Sequence, residues 1–372
     1  MLCVSATSKA GTFSSSAPPL TPHHCTRSLC TLCTRPLDGD ANCYSRAQGD
    51  LGSSKNYPIL PPNVAPDTVG YEGASLFSSA FFANATIAYA KYCDGGSWAG
   101  HNSTPTHFNS TRLYYMGRPL LDALFADLMP RGLATARSVL YSGCSAGGLT
   151  AYTHIDYLSS LLSPSTVLLG LADAMFALHV PAFPGPGHTT YLEGMYQFVF
   201  TNMNASASLN QKCLAHYGAA RGNECLYGAQ VAPFVQTPML VVNSRYDTWQ
   251  EKSVVGIDCE ANVSSSGGIS LCPPGMEQQG KFWVAYGDTL AAAASALPPR
   301  HGVFLTNCPV HCQTGTGFGD PSTGAVATLG EAVDRWWPEA LAHGKEPGWA
   351  APRFIALDAD ECVQGPPSLL QC

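Results

Sequence analysis

Short apolar runs alternate with longer amphipathic segments along most of this chain. The apolar runs predict buried strands, because they are rich in aliphatic and β-branched residues and lie between turn-forming residues. The predicted strands cover residues 86–92, 138–141, 166–171, 238–242 and 302–306. Segments with a helical apolar period predict helices over residues 119–131, 148–162, 277–297 and 325–342. Apolar strands separated by helices indicate an α/β fold with a mostly parallel central sheet and helices on both faces.

The same pattern suggests how the chain is divided. Residues 1–39 are rich in Ser, Thr and Pro and have little periodicity, which predicts a disordered leader or a segment misassigned to this protein. Residues 40–372 are predicted to form a single α/β domain. Within it, residues 177–235 and 256–280 are interpreted as irregular insertions rich in Gly, Pro and Cys.

Charge and hydropathy exclude two classes of function. Charged residues make up only 12% of the chain, and the net charge is −7, without a basic patch. This composition argues against nucleic acid as a partner. No apolar run approaches the roughly 20 residues that span a bilayer, so no membrane span is predicted.

Cysteine usage indicates the compartment. The 15 cysteines are scattered along the chain, as in disulfide-stapled extracellular proteins. The glycosylation motif Asn-x-Ser/Thr occurs at Asn84, Asn102, Asn109, Asn204 and Asn262. We therefore predict a secreted or cell-wall glycoprotein.

The N-terminal segment does not match that prediction directly. Its first residues contain no apolar core of the kind that a signal peptide needs. It is rich in Ser and has no acidic residue before Asp38, a composition that resembles an organelle transit peptide. The preferred interpretation is that the native N-terminus is missing or replaced.

The stretch SVLYSGCSAGGLTAY, residues 138–152, places a serine between small residues. Gly143, Ser145 and Gly147 match the pattern G-x-S-x-G at the junction of a predicted strand and a predicted helix. This is the setting of a nucleophile elbow, in which a sharp turn lifts the serine hydroxyl above the sheet edge. The alternative is a serine that only caps the helix.

A serine nucleophile needs a base, and the base needs an acid that orients it. In α/β-hydrolases the chain order is Ser, acid, His, each after a strand. Asp247 follows the strand at 238–242 and is the preferred acid. Asp173 follows the strand at 166–171 and is the rival. Asp247 is preferred because its strand is the later one, nearer in the chain to the strand that precedes the candidate base.

His311 is the candidate base, because it lies in a short loop after the strand at 302–306. The other histidines have less suitable positions. His154 lies within the helix after the elbow, and His301 precedes a strand. The predicted insertions contain His179, His188 and His216.

At these residues the chain resembles the pectin acetylesterase / Notum carboxylesterase family. The resemblance covers residues 43–315 and is carried by segments in the same order along the chain. They are CYSR (43–46), LGSSK (51–55), YCDGGSWAG (92–100), SGCSAGGLTAY (142–152), LADAMF (171–176), NSRYDTWQ (243–250) and NCPVHCQTG (307–315). The resemblance implies a secreted serine esterase with an α/β-hydrolase fold. Plant members remove acetyl groups from pectin, and the Notum branch removes a palmitoleoyl group from a signalling protein.

The resemblance also implies a role for each matched residue. Ser145 would be the nucleophile, His311 the general base and Asp247 the residue that orients it. Ala146 would donate its backbone N–H to the oxyanion. No metal or organic cofactor is implied, and acetylated pectin is the expected substrate. The chain is assumed to act as a monomer.

One family feature is missing. Family members carry an apolar strand and a Gly-Gly-Gly-Trp-Cys-like loop before the CYSR segment, and that loop supplies further oxyanion donors. The corresponding residues of this chain, HHCTRSLCTLCTRPLDGDAN (23–42), contain no glycine run, and no strand is predicted before them. Removing one oxyanion donor typically costs about 10²- to 10³-fold in rate. This departure keeps open the alternative that the protein is a catalytically impaired, glycan-binding relative. A deacylase of a lipid ester on a protein is a further alternative.

Further candidate residues have weaker support. Trp98 is expected to line the substrate pocket or to pack in the core, and Asp94 to bind substrate hydroxyls or to brace its own turn. Trp249 and Gln250 are expected to hold the loop of Asp247. A metal site is not predicted, although Cys25, Cys30 and Cys33 have a spacing found in iron–sulfur proteins, beside His23 and His24.

Overall fold

The computed structural model describes residues 2–7, 43–45, 47–48, 52, 85–90, 92–185, 187–259, 261–263, 269–315 and 328–355. The strands, named β1 to β11, are Leu2–Thr7, Thr86–Ala90, Asn102–Phe108, Thr111–Tyr115, Ser138–Cys144, Val167–Asp173, Met239–Ser244, Asn262–Val263, Ile269–Ser270, Gly302–Thr306 and Arg353–Ile355. The longer helices, named α1 to α6, are Gly117–Leu128, Ala146–Leu161, Tyr191–Thr201, Gln211–Tyr217, Glu277–Ser295 and Leu329–His343.

A seven-stranded sheet organises the fold, in the order β11-β10-β7-β6-β5-β1-β2. The five strands from β11 to β5 are all parallel to their neighbours. Strand β1 is antiparallel to both β5 and β2. The prediction of an α/β fold with a mostly parallel sheet is confirmed.

Both faces of the sheet are buried. Along β7, Val241 belongs to one core cluster, whereas Leu240 and Val242 belong to a second cluster on the opposite face. The second cluster includes Trp336 and Trp337 of α6. Because successive side chains of a strand point to opposite faces, this division shows why the strand is an unbroken apolar run.

The predicted elements agree closely with the structure. Strand β10 has the predicted bounds, and β5 extends three residues beyond the predicted end at 141. Helix α2 begins at Ala146, two residues before the predicted start at 148. Helix α5 begins at Glu277 as predicted.

The insertion at 177–235 differs from its interpretation as irregular chain. It contains α3, α4 and a shorter helix at Gly228–Val231. Thr190 and Asn210 cap α3 and α4 through their side chains, and a disulfide joins Cys213 to Cys225. The buried residues of α3 recur at helical spacing, a period that the interpretation missed. Helix α4 and the helix at Gly228–Val231 have too few turns to show such a period, and α4 is defined instead by its cap and the disulfide. The β3–β4 hairpin at Asn102–Tyr115 was also not predicted.

The N-terminal residues require a correction. Leu2–Thr7 form β1 inside the central sheet, between β5 and β2, and are not part of a disordered leader. The segment LCVSAT is short, and its Ser- and Thr-rich surroundings hide its strand character in the sequence. Residues 8–39 lie outside the described residues, and the single domain over residues 40–372 stays a prediction.

Candidate active site

The carboxyl ends of four neighbouring parallel strands bring the candidate residues to one edge of the sheet. Ser145 directly follows β5, and Asp173 is the last residue of β6. Asp247 follows the end of β7, and His311 follows the end of β10. Loops at this edge are the usual location of active sites in open parallel sheets.

Ser145 occupies a sharp turn between β5 and α2. Its backbone has φ 57° and ψ −122°, a strained conformation for a residue with a side chain. The turn is held because the Ser145 N–H donates to the carbonyl of Asp173 at 2.9 Å. Gly148 permits the close packing, since a Cβ atom there would lie 2.4 Å from the same carbonyl oxygen. This geometry is that of a nucleophile elbow, and the Ser145 side chain is partly exposed.

Ala146 is the first residue of α2. The first N–H groups of a helix have no acceptor within that helix, and the helix dipole gives this end a partial positive charge. The Ala146 N–H therefore lies beside Ser145, where it can donate a hydrogen bond to an oxyanion.

Asp247 is buried, with 1% of its side chain exposed. It is the N-cap residue of the short helix Thr248–Gln250, and its Oδ1 accepts the N–H groups of Trp249 at 2.9 Å and of Gln250 at 3.0 Å. These two bonds fix the orientation of the carboxylate. The polar turn after β7 thus holds the Asp247 carboxylate in one orientation.

His311 is the partner of that carboxylate. Its Nδ1 lies 2.9 Å from both Oδ1 and Oδ2 of Asp247, and its side chain is 21% exposed. With Nδ1–H donating to the carboxylate, Nε2 is the nitrogen that can accept a proton. This is the orientation that a general base in a Ser-His-Asp triad needs.

Trp249 has a role that sequence reasoning missed. Its ring stacks on the imidazole of His311, with 5.7 Å between centroids and an interplanar angle of 28°. Gln250, next to it, is buried and accepts a hydrogen bond at Oε1 from the Tyr286 hydroxyl at 2.7 Å. The expectation that both residues hold the Asp247 loop agrees with these contacts, and Trp249 also limits the rotation of the imidazole. The sequence shows that Trp249 is close to Asp247 but carries no signal of its contact with His311.

A disulfide between Cys144 and Cys312 connects the two halves of the site. One cysteine precedes Ser145 and the other follows His311, although they are 168 residues apart in the sequence. Both cysteines are buried, with 3% of Cys144 and 6% of Cys312 exposed. The bond tethers the nucleophile turn directly to the loop that carries His311, residues 307–315, here called the base loop.

Replacing both Cys144 and Cys312 by Ala should lower catalytic activity at least tenfold, because the base loop loses its covalent link to the nucleophile turn. Because this crosslink closes a long loop, loop entropy predicts that the free energy of unfolding falls by up to about 5 kcal/mol when it is removed. The matched control replaces Cys213 and Cys225, which are only 12 residues apart. It should lose about 3 kcal/mol at most and retain its specific activity. Equal specific activity of the two folded variants would contradict a role for the first disulfide in the site.

Asp173, the rival acid, takes different partners. It is fully buried, and its Oδ2 accepts the Thr314 N–H at 2.7 Å and the Thr314 hydroxyl at 2.8 Å. Burial raises its pKa from 3.8 to about 6. Because the imidazole Nδ1 pairs with Asp247, the geometry favours Asp247 as the orienting acid.

Two other histidines are buried away from this arrangement. His154 of α2 lies with Nε2 3.3 Å from the Ser97 carbonyl oxygen, and burial lowers its pKa to about 3. Burial likewise lowers the pKa of His301, which directly precedes β10, to about 3. Both imidazoles are therefore neutral at physiological pH, and neither lies in a loop after a strand end.

Asp94 and Trp98 lie inside the protein. Asp94 is 1% exposed, and its Oδ2 accepts the N–H groups of Gly96 at 2.9 Å and Trp98 at 2.7 Å. Trp98 is 4% exposed and packs near Tyr92. These contacts agree with the alternatives that Asp94 braces its own loop and that Trp98 packs in the core, and contact of either residue with substrate stays a prediction.

Other kinds of site are not found in the described ranges. In them, no set of three or more His, Cys, Asp or Glu side chains is arranged to hold a metal ion. Cys25, Cys30 and Cys33, like the segment that lacks the glycine run, lie outside the described residues. None of the helices in the described part of the chain has the length and apolar character needed to cross a membrane.

Known enzymes from plants and animals resemble this chain over more than half of its length. The chain is 29% identical over 311 residues to pectin acetylesterase 11 of Arabidopsis thaliana, covering 80% of this chain and 75% of that protein. It is 27% identical over 284 residues to pectin acetylesterase 5 of the same plant, covering 74% and 62%. Human palmitoleoyl-protein carboxylesterase NOTUM is 22% identical over 228 residues, covering 58% and 44%. The profile of the pectinacetylesterase family matches residues 31–345. The chain therefore belongs to the pectinacetylesterase family of carboxylic ester hydrolases.

Proposed function

We propose that this protein is a serine esterase that removes O-acetyl groups from pectin-type polysaccharide, with Ser145, His311 and Asp247 as its catalytic triad. The observation that carries the proposal is the contact of His311 Nδ1 with Asp247, at the sheet edge where Ser145 occupies a strained turn. Each group fits one part of the mechanism of ester hydrolysis.

The first step is acylation of the serine. The Ser145 oxygen attacks the acetyl carbonyl carbon while Nε2 of His311 takes the hydroxyl proton. The resulting imidazolium is stabilised by the buried carboxylate of Asp247. The Ala146 N–H donates to the negative oxygen of the tetrahedral intermediate. When this intermediate collapses, the bond from the acyl carbon to the sugar oxygen breaks, and the imidazolium gives its proton to that oxygen, which leaves as a hydroxyl.

The second step releases acetate. A water molecule gives a proton to Nε2 of His311 and attacks the acetyl carbon of the acyl-enzyme. A second tetrahedral intermediate then collapses, the proton returns to the Ser145 oxygen, and acetate leaves. All proton transfers pass through one nitrogen, which the bond from Nδ1 to Asp247 and the stacking of Trp249 hold in place.

The substrate assignment is supported by the plant relatives, whose names describe pectin acetylesterases. Their similarity extends over more of this chain than that of the NOTUM relatives, 74–80% against 58%. The NOTUM relatives are palmitoleoyl-protein carboxylesterases, so a lipid ester on a protein is the alternative substrate to test.

Secretion to the cell wall is part of the same proposal, because the polysaccharide substrate lies there. The disulfides Cys144–Cys312, Cys213–Cys225 and Cys259–Cys272 support an oxidising compartment. Asn109 is also exposed at the tip of the β3–β4 hairpin, where a glycan can be accommodated.

Acetate release from acetylated pectin tests the proposed function. The purified protein should release acetate from the polymer, and Ser145→Ala should not. Hydrolysis of p-nitrophenyl acetate and of a palmitoleoylated peptide should be measured in parallel. Activity on the small ester or the lipid ester without activity on the polymer would overturn the substrate assignment. Binding of oligogalacturonide without any hydrolysis would instead identify an impaired glycan-binding relative.

A further inference from the structure

We propose that Asp173 is a positioning residue of the esterase reaction, whose buried side chain fixes the base loop and whose charge favours the protonated form of His311. The base loop comprises residues 307–315. This inference rests on the proposed function and adds a residue that the Ser-His-Asp scheme does not use.

Asp173 contacts both the nucleophile turn and the base loop. Its backbone carbonyl accepts the N–H of Ser145 at 2.9 Å, which fixes the nucleophile turn. Its carboxylate accepts two hydrogen bonds from Thr314, three residues after His311, at 2.7 and 2.8 Å. A single residue at the end of β6 therefore sets the position of the nucleophile turn relative to the base loop.

The surroundings of this carboxylate are unusual for a structural anchor. Asp173 is 0% exposed, and its Oδ1 has no hydrogen-bond donor among the described residues. The titratable groups that interact with it are His311 and Asp247 across the site and Tyr152 of α2. Burial has the largest effect and raises the pKa of Asp173 to about 6, although the hydrogen bonds from Thr314 and attraction to His311 lower it. Repulsion from Asp247 raises it further.

This carboxylate costs stability when it is ionised. A carboxyl group whose pKa is raised by folding contributes to the stability of the folded state. This contribution is complete at pH values below the pKa of the unfolded chain, near 3.8. That contribution disappears as the pH rises through about 6. Asparagine could keep an oxygen for Thr314 without this cost. An acid at this position is therefore explained by its charge, which an anchor alone would not need.

The charge has a use in acylation. When His311 takes the serine proton, an imidazolium forms within electrostatic range of Asp173. A negative charge in a buried environment stabilises that cation more strongly than it would in water. Asp247 orients the ring by direct contact, and Asp173 lowers the energy of the imidazolium that forms during the reaction.

Asp173→Asn tests this inference, since it keeps an acceptor for Thr314 and removes the charge. We expect kcat for p-nitrophenyl acetate to fall about 10- to 100-fold while KM stays nearly constant, because the charge acts on the transition state. The acid limb of the kcat/KM profile should move to lower pH, since the imidazolium has lost a stabilising charge. The melting temperature at mildly alkaline pH should rise. A merely structural aspartate would instead give a lower melting temperature and an unmoved pH profile, and that result would overturn the proposal.

Thr314→Val provides a second test if the Asn variant does not fold. It removes one donor to Asp173, so the pKa of the carboxyl should rise and activity should fall more near about pH 6 than in alkaline solution. Thr314→Ser should restore the activity. The matched control is Thr166→Val, which removes a buried hydroxyl bond to the Ala136 carbonyl near the other end of β6. It should lower stability without changing the pH profile.

Two outcomes separate this inference from the proposed function. If the wild-type protein hydrolyses no ester and its serine does not react with a fluorophosphonate, the proposed function fails. If the wild-type protein is active and Thr314→Val loses activity equally at all pH values, the role of Asp173 fails while the triad stands.

Discussion

Ser145→Ala should lower kcat/KM for ester hydrolysis by about 10⁴- to 10⁶-fold, the range seen when the nucleophile of a serine hydrolase is removed. The reason is chemical, because the reaction needs a hydroxyl beside the Ala146 N–H and alanine supplies none. Alanine has a backbone preference similar to that of serine, so the strained φ of 57° is not made worse. The melting temperature should therefore change little. Initial rates on p-nitrophenyl acetate, corrected for the uncatalysed reaction, provide the measurement.

The matched control for this variant is Ser160→Ala, at the other end of α2. Its hydroxyl donates to the Tyr157 carbonyl at the protein surface. The control should retain wild-type activity. If Ser145→Ala also retained more than about a tenth of the wild-type rate, Ser145 would not be the nucleophile.

Asp247→Asn should lower kcat by about 10³- to 10⁴-fold with little change in stability. Asparagine is as good an N-cap as aspartate, so the N–H groups of Trp249 and Gln250 keep their acceptor. What is lost is the negative charge that selects the imidazole tautomer and stabilises the imidazolium of His311. The effect should appear in single-turnover acylation as well as in steady-state kcat.

Asp247→Asn and Asp173→Asn should differ in the size of their effect on kcat. Both residues are buried acids at neighbouring strand ends, but Asp247 contacts Nδ1 of His311 at 2.9 Å, whereas the Asp173 carboxylate binds Thr314. Asp247→Asn should therefore be the more damaging substitution by at least tenfold. The reverse order would mean that the sequence and the structure both point to the wrong acid.

The positions of Ser145, Asp247 and His311 could be predicted because each closely follows an apolar run. A buried parallel strand leaves a clear pattern in the sequence, and parallel strands end at the same edge of the sheet. The pattern therefore places three distant side chains together without any knowledge of the strand order. The family resemblance selected the same residues independently.

The interactions that support the proposed triad could not be predicted in this way. The pairing of Cys144 with Cys312 depends on how the loop after β10 reaches the end of β5, and cysteine spacing alone does not determine connectivity. Trp249 lies on His311 because of the turn that follows β7, which has no distinct sequence pattern. Asp94 was ambiguous because its role depends on which groups its buried carboxylate meets.

Asp173 illustrates the same limit at the level of chemistry. From the sequence it was a rival for one role, since both acids follow buried strands. The structure gives the two acids separate partners, with Asp247 on the imidazole and Asp173 on Thr314. A sequence pattern identifies residues at the active edge, and only the contacts of each carboxylate distinguish their tasks.

The most direct measurement of the central claim is mass-spectrometric mapping of the protein after reaction with a fluorophosphonate ester. Phosphonylation should be found on the peptide that contains Ser145, at one site per chain, and should be strongly slowed in His311→Ala. Labelling of another serine, or labelling of Ser145 at the same rate without the imidazole of His311, would contradict a triad in which that imidazole activates this hydroxyl.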